Sequence, residues 1–205
     1  MKNYKEILLC LPVLLTLIVL ICGSVSQDRA KQVRCADNLK QILRKMQTYA
    51  ATHGVMPPVW TQEKPLWTFW SDKIDPYFST RDYAACPSDS RNAQMYTERP
   101  DPLVPQLRRI SVSSYGMNEF MHTYNSKTRR ATMHNFTQPE KLIIFGDAKI
   151  PFLQPVQNPG TKRHSNRYHF ITAAGNARLY EDKELGTKKP NGHFNFNKTV
   201  WSPWR

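Results

Sequence analysis

The chain has 205 residues, with 29 Lys and Arg against 16 Asp and Glu and a formal charge of +13. All but one unit of that excess lies beyond an uncharged apolar run, Ile7 to Val25, which leaves 179 residues from Gln27 onward. That is enough for one domain with a proper core and too few for two comfortable ones, and no low-complexity segment, internal repeat or clean linker divides it.

Ile7 to Val25 is nineteen residues without a charge, long enough to cross a bilayer core as a helix. From Cys35 the apolar positions are Cys35, Leu39, Ile42, Leu43, Met46, Tyr49 and Ala50, the three-and-four spacing of one buried helical face. Between the two, Asp28 to Arg34 contains no Pro or Gly to stop a helix. The expectation is one long N-terminal helix, half in lipid and half packed on a domain. It should end at His53-Gly54, where glycine offers a left-handed cap and Pro57-Pro58 forbids continuation.

Residues 1–26 then form a transmembrane anchor. Ser24-Val25-Ser26 also fits a small-x-small cleavage site before Gln27, so a removed signal peptide is the alternative. Lys2 and Lys5 before the run nearly balance Arg29, Lys31 and Arg34 after it, so flanking charge does not fix the orientation. Either reading exports residues 27–205.

Past the helix, Val59 to Phe78 holds Trp60, Trp67, Phe69, Trp70, Tyr77 and Phe78, with a short helix expected over Leu66 to Ile74. The three tryptophans are read as closing the core over the first helix, with sugar or base stacking as the exposed alternative. Arg81 to Pro105 is turn-rich. Strands are expected at Arg109 to Tyr115, Lys141 to Phe145, Arg167 to Thr172 and Ala177 to Tyr180, the last two joined by the turn Ala173-Ala174-Gly175-Asn176. One helix followed by mostly antiparallel strands gives an α+β fold.

Cys10 and Cys22 lie in the apolar run and should behave as small hydrophobes. Cys35 and Cys86 lie beyond it. An oxidising compartment would let these two pair, closing a loop worth about 4 kcal/mol in the chain-entropy account.

Several segments, taken in order, resemble the G-type pseudopilin-like proteins of bacteria, known by a prepilin-type N-terminus and a His-X9-Asp-Gly signature. Cys35-Ala36-Asp37-Asn38-Leu39-Lys40-Gln41-Ile42 with Tyr49-Ala50 is similar to the family's helix. Pro57-Pro58, the Trp70…Asp75-Pro76-Tyr77 segment, Cys86-Pro87-Ser88-Asp89 and Ser114-Tyr115-Gly116-Met117-Asn118 continue the match. Arg163-His164 then precedes Ala174-Gly175 at the family's spacing. Two departures stand out: the N-terminus lacks the Gly-Phe-Thr processing motif, and Ala174 replaces the family's Asp beside Gly175.

The resemblance implies a pilin-like fold, a long helix packed on an antiparallel sheet. It also implies a structural or accessory role in a type II secretion-like or type IV pilus-like assembly. The chain would sit in the inner membrane as a single-pass protein with its domain in the periplasm. Its partners would be other pseudopilin-like subunits, secretion machinery and the bilayer. The assembly helix would use Glu6 and Leu15 in its membrane half and Leu39, Ile42 and Met46 against its own sheet.

His164 has two readings, a ligand or hydrogen-bonding hub near His169, or a side chain tying the Gly160–Arg163 loop to the hairpin. Asp147, after Leu142-Ile143-Ile144-Phe145-Gly146, stands where both functional and turn-forming acids occur. The two histidines, five apart at a strand entry, make a poor metal pair, and no Cys-x-x-Cys is present. No nucleophile elbow, His-Glu-x-x-His or phosphate loop appears, so no enzyme, metal, cofactor or small-molecule substrate is expected. The alternative function is capture of an anionic polymer, DNA or an acidic glycan, by Arg108, Arg109, Arg129, Arg130, Lys162, Arg163 and Arg167.

Overall fold

A computed structural model describes residues 3–63, 66–78, 82–89, 113–121, 136, 138–148, 152–153, 160–188, 194–196 and 201, with side chains described from residue 11 onward except at 62, 63, 66, 67, 82, 152, 187, 188 and 194–196. Helix α1 runs unbroken from Asn3 to His53 and carries Pro12 near its start. At about 1.5 Å per residue it is roughly 76 Å long. Pro12, nine residues into the helix, removes one intrahelical bond, as prolines in membrane-length apolar helices commonly do. Gly54, at φ +73°, donates its N–H to the Ala50 carbonyl at 2.8 Å and ends the helix as expected.

The two halves of α1 differ in burial. Leu11, Leu14, Leu15, Ile18, Val19 and Val25 are all exposed, whereas Cys35, Leu39, Ile42 and Met46 are completely buried. The buried set has the spacing read from the sequence, and this face packs on the sheet. The architecture is therefore α+β, a long apolar-ended helix laid against a mostly antiparallel sheet.

That sheet contains β3 (Tyr115–Asn118), β4 (Ile143–Asp147), β5 (Phe152–Leu153), β6 (Tyr168–Thr172) and β7 (Ala177–Tyr180), in the order β5-β3-β4-β6-β7. All neighbours are antiparallel except β3 with β5. β6 and β7 form the expected hairpin, with Gly175 at φ +87° in the turn. β3 begins at Tyr115, where the expected strand ended, and residues 109–112 lie outside the described residues.

Every residue of β3, β4 and β6 is buried because both faces of the sheet are covered. On one face Phe145, Ile171 and Ala173 meet α1 and Trp70. On the other, Ile143, Tyr168, Phe170 and Tyr180 pack with Leu185 and Trp201. Leu185 belongs to α3 (Asp182–Leu185), which leads into β8 (Gly186–Lys188), paired with β9 (Phe194–Phe196).

The stretch expected to be helical from Leu66 divides in two. Leu66–Phe69 is a strand, β2, paired with β1 (Trp60–Glu63), and only Trp70–Ile74 is helical, as α2. Alternating Trp67 and Phe69 suits a two-stranded ribbon as well as a helix, and a cross-strand partner decides it. Trp70 is fully buried and Trp60 half-buried against the core, in line with the core reading. The side chain of Trp67 lies outside the described residues.

Candidate functional site

Four buried donor groups from four separate segments converge where α1 meets the end of the central strand β4: Cys35, Cys86, Asp147 and His164, their ligand atoms all within 4.8 Å of one another. Each arrives by a different local device. Among the described side chains of α1, Cys35 is the first to be fully buried. Cys86 starts a turn through Pro87 that closes with the Asp89 N–H on the Cys86 carbonyl at 2.9 Å. Asn38 of α1 anchors that turn by donating to the Ala85 carbonyl at 2.9 Å.

Asp147 ends β4, and its carbonyl accepts the Thr161 N–H at 2.7 Å, drawing the following loop back onto the strand. His164 then opens a two-residue turn, Ser165 and Asn166 at φ 50° and 58°, that closes in a bridge between His164 and Arg167. The turn is held to α1 by the Ser165 hydroxyl, which donates to Asp28 at 2.9 Å. Because the chain reverses here, His164 and His169 stand on the same side with ring centroids 5.3 Å apart, rather than on opposite faces of one strand.

Within the cluster, Cys86 Sγ lies 3.3 Å from His164 Nε2 and Cys35 Sγ lies 3.5 Å from Asp147 Oδ1. His164 Nε2 lies 3.4 Å from Asp147 Oδ2, which accepts no hydrogen bond although it is buried. Around this set stands an outer layer. Ser88 Oγ meets His164 Nδ1 at 3.3 Å, and the Tyr115 hydroxyl donates to Cys35 Sγ at 3.4 Å.

Arg163 runs beneath it, donating to the Ser114 and Ala148 carbonyls at 2.7 and 2.8 Å, to Asp89 at 2.6 Å and to Asp147 at 3.4 Å. Burial pushes the Asp147 carboxyl well above its usual range, with the neighbouring Cys86 adding to the effect and Arg163 opposing it. Burial also raises Cys35, while Cys86 is pushed down to about 5, chiefly by the hydrogen bond from Cys35, with burial opposing and His164 assisting. His169 is lowered to about 4, by burial first and then by His164 and Lys40, so its ring is neutral.

A Cys86–His164–Asp147 trio has the residue types of a nucleophilic triad without its arrangement. The carboxylate sits on the same imidazole nitrogen as the thiol, so it cannot orient the ring through the other nitrogen. Cys86, Cys35, His164 and Asp147 are also completely buried, so none of the four faces solvent. Two chemistries remain for such a set. The thiols, both free in this structure, can join as a disulfide, or the four donors can close around a metal ion.

The remaining residues singled out in the sequence are distributed as follows. His164 is in the cluster, but Gly175 is not: it lies on the β6–β7 turn near Leu43. Ala174 is exposed on that turn, so the carboxylate facing His164 comes from Asp147 and not from position 174. Arg163 is removed from the proposed basic footprint, since its side chain is 5% exposed and committed to Asp89 and Asp147. Lys162 pairs with Asp182 at 2.6 Å. Arg108, Arg109, Arg129 and Arg130 lie outside the described residues, as does the side chain of Glu6. Leu15 is exposed on the apolar half of α1, and Leu39, Ile42 and Met46 are buried.

Sequence reasoning paired Cys35 with Cys86 and weighed His164 and Asp147 singly, without joining the four. No local spacing could join them. The available signal was a polar residue at the end of each of several apolar runs. Comparison with protein-family models, with curated proteins and with solved structures finds no match to this chain.

Proposed function

We propose that this chain is a membrane-anchored, pseudopilin-like structural subunit of a type II secretion-like or type IV pilus-like assembly, with its domain in the periplasm and no catalytic role. The observation that carries the reading is the division of α1. One unbroken helix presents an apolar half, exposed from Leu11 to Val25 and long and apolar enough to cross a membrane, and then buries one face of its second half in the domain. The exposed half can be held by lipid or by neighbouring apolar helices, because the two environments are similarly apolar and exchange between them costs little. Four motifs of the resemblance, at Cys35–Ile42, Cys86–Asp89, Ser114–Asn118 and Arg163–His164, meet in the folded domain around one cluster, which supports reading them together.

Of the polymer-binding alternative's described residues, the Arg163 side chain is buried, Lys162 is paired with Asp182 and Arg167 is half-exposed.

The test uses Cys22, which is exposed on the apolar half of α1. In native membranes a thiol-specific bifunctional reagent should link this position to a second copy or to another single-span subunit. The chain should leave the membrane only in detergent, with its span retained. A chain beginning at Gln27 and recovered in soluble extract would overturn the reading.

A further inference from the structure

We infer that Cys35, Cys86, Asp147 and His164 form a structural zinc site that locks α1 to the sheet. The inference stands on the geometry of the cluster and is independent of any role in assembly.

Three features carry it. The first is spacing. Zinc bonds of about 2.3 Å to sulfur and 2.0–2.1 Å to nitrogen and oxygen, in a tetrahedron, place neighbouring donors roughly 3.3–3.8 Å apart. The distances here are 3.3 Å for Cys86–His164 and 3.4 Å for His164 Nε2 to Asp147 Oδ2, with Cys35 3.5 Å from the other carboxylate oxygen, Oδ1, and all four donors within 4.8 Å of one another. Hydrogen bonds of ordinary length are shorter for the nitrogen–oxygen contact, and Asp147 Oδ2 accepts none.

The second is charge. Counted from protonated thiols and ionised carboxylates, Asp147, Asp89 and Arg163 give the cluster one negative charge. When Zn²⁺ binds, the two thiols release their protons to solvent and become thiolates, with no change of oxidation state. The divalent ion then replaces two protons and the buried charge is unchanged, which matters where an uncompensated charge is costly.

The third is the outer layer. Ser88 faces the free imidazole nitrogen, Tyr115 donates to the Cys35 sulfur and Arg163 donates to Asp147. Such partners fix the orientation of ligands and are characteristic of metal sites. Two sulfurs, a nitrogen and one carboxylate select a borderline-soft ion over calcium or magnesium. Four protein donors and complete burial leave no open position, so the site is structural.

The competing chemistry, a Cys35–Cys86 disulfide, requires a two-electron oxidant and leaves Asp147 Oδ2 without a partner. The two outcomes differ in mass and in thiol count. The full-length chain, purified in detergent under anaerobic conditions and supplied with zinc, should bind one zinc per chain. It should still contain four reactive thiols when denatured. Co²⁺ in place of zinc should give the visible bands of a tetrahedral site with thiolate-to-cobalt charge transfer.

Asp147→Asn should weaken zinc binding at least tenfold, and Cys86→Ser should abolish the charge-transfer band or shift it to one-sulfur intensity. The spectrum of the unaltered chain tests the site even if a variant misfolds. A chain two hydrogens lighter than its sequence, free thiols that take up no zinc, or zinc retained without thiolate-to-cobalt absorption would each overturn the inference.

Discussion

Arg163 and Asp89 form a buried ion pair, Nη2 to Oδ2 2.6 Å, across 74 residues of sequence, with both side chains at most 6% exposed. The pair joins the Cys86 turn to the loop that follows β5, and the guanidinium also spans the Ser114 and Ala148 carbonyls, which flank the neighbouring strands β3 and β4. A buried pair is weak evidence of net stabilisation, but breaking one is costly because it strands the remaining charge. Arg163→Met leaves Asp89 and Asp147 without their cation and should destabilise the domain by about 3–5 kcal/mol. Arg163→Lys should recover only part of that, since one ammonium cannot reproduce a planar fork reaching four acceptors. Urea denaturation of the full chain in detergent measures both, and a midpoint unchanged in Arg163→Met would refute the assignment.

Gly146 sits opposite Phe170 across β4 and β6, and a methyl group at position 146 would overlap the Phe170 ring and approach the His169 carbonyl at 2.8 Å. The backbone there is extended, so the requirement for glycine is one of space. Gly146→Ala should destabilise the domain by roughly 1–3 kcal/mol, the usual range for overpacking. In a Phe170→Leu background the same substitution should cost less. Equal penalties in the two backgrounds would mean that the ring is not what excludes the methyl group.

The helix and the sheet were legible in the sequence to different depths. The buried positions of α1 could be read directly, because a three-and-four spacing has one geometric meaning over fifteen residues. The β6–β7 hairpin followed from Gly175 between two β-rich runs. β2 could not be read, because Leu66–Phe69 is too short for its pattern to distinguish a ribbon from a helix before Trp60–Glu63 is known to lie beside it. The cluster was hidden for a different reason. Cys35, Cys86, Asp147 and His164 come from a helix, a turn, a strand end and a second turn, so their only common property is where the fold brings them. Ala174 makes the point from the other side: it is exposed on the β6–β7 turn, and the carboxylate beside His164 is that of Asp147, 17 residues earlier in the chain.

Asn118 is fully buried and donates its amide to two carbonyls, Ile143 at 2.8 Å and Trp201 at 2.7 Å. It is the polar pin between β3–β4 and the C-terminal segment, whose Trp201 ring packs edge-on against Phe170 at 5.6 Å. Asn118→Ala leaves two buried acceptors unsatisfied, each costing about 1–3 kcal/mol. Removing residues 201–205 takes away one of the same hydrogen bonds. The two changes should therefore be less than additive when combined, by about the energy of that bond. Strict additivity in denaturation experiments would show that the pin does not couple the two segments.

Leu15 lies near the middle of the apolar half of α1, is 55% exposed and belongs to neither buried core cluster. A charge there should act on membrane insertion and leave the domain intact. Placing an arginine near the centre of a spanning helix costs about 2.5–3.5 kcal/mol on insertion scales. Leu15→Arg should therefore move a measurable fraction of the chain from the membrane pellet to the alkaline-extractable fraction. Gln47→Arg, at an exposed position on the domain half of the same helix, should not. The urea midpoint of the domain should be unchanged in both variants, because neither contributes to the core. If Leu15→Arg remained wholly in the pellet with the domain folded, the apolar half of α1 would not be what retains the chain. The assembly reading would then lose the helix on which it rests.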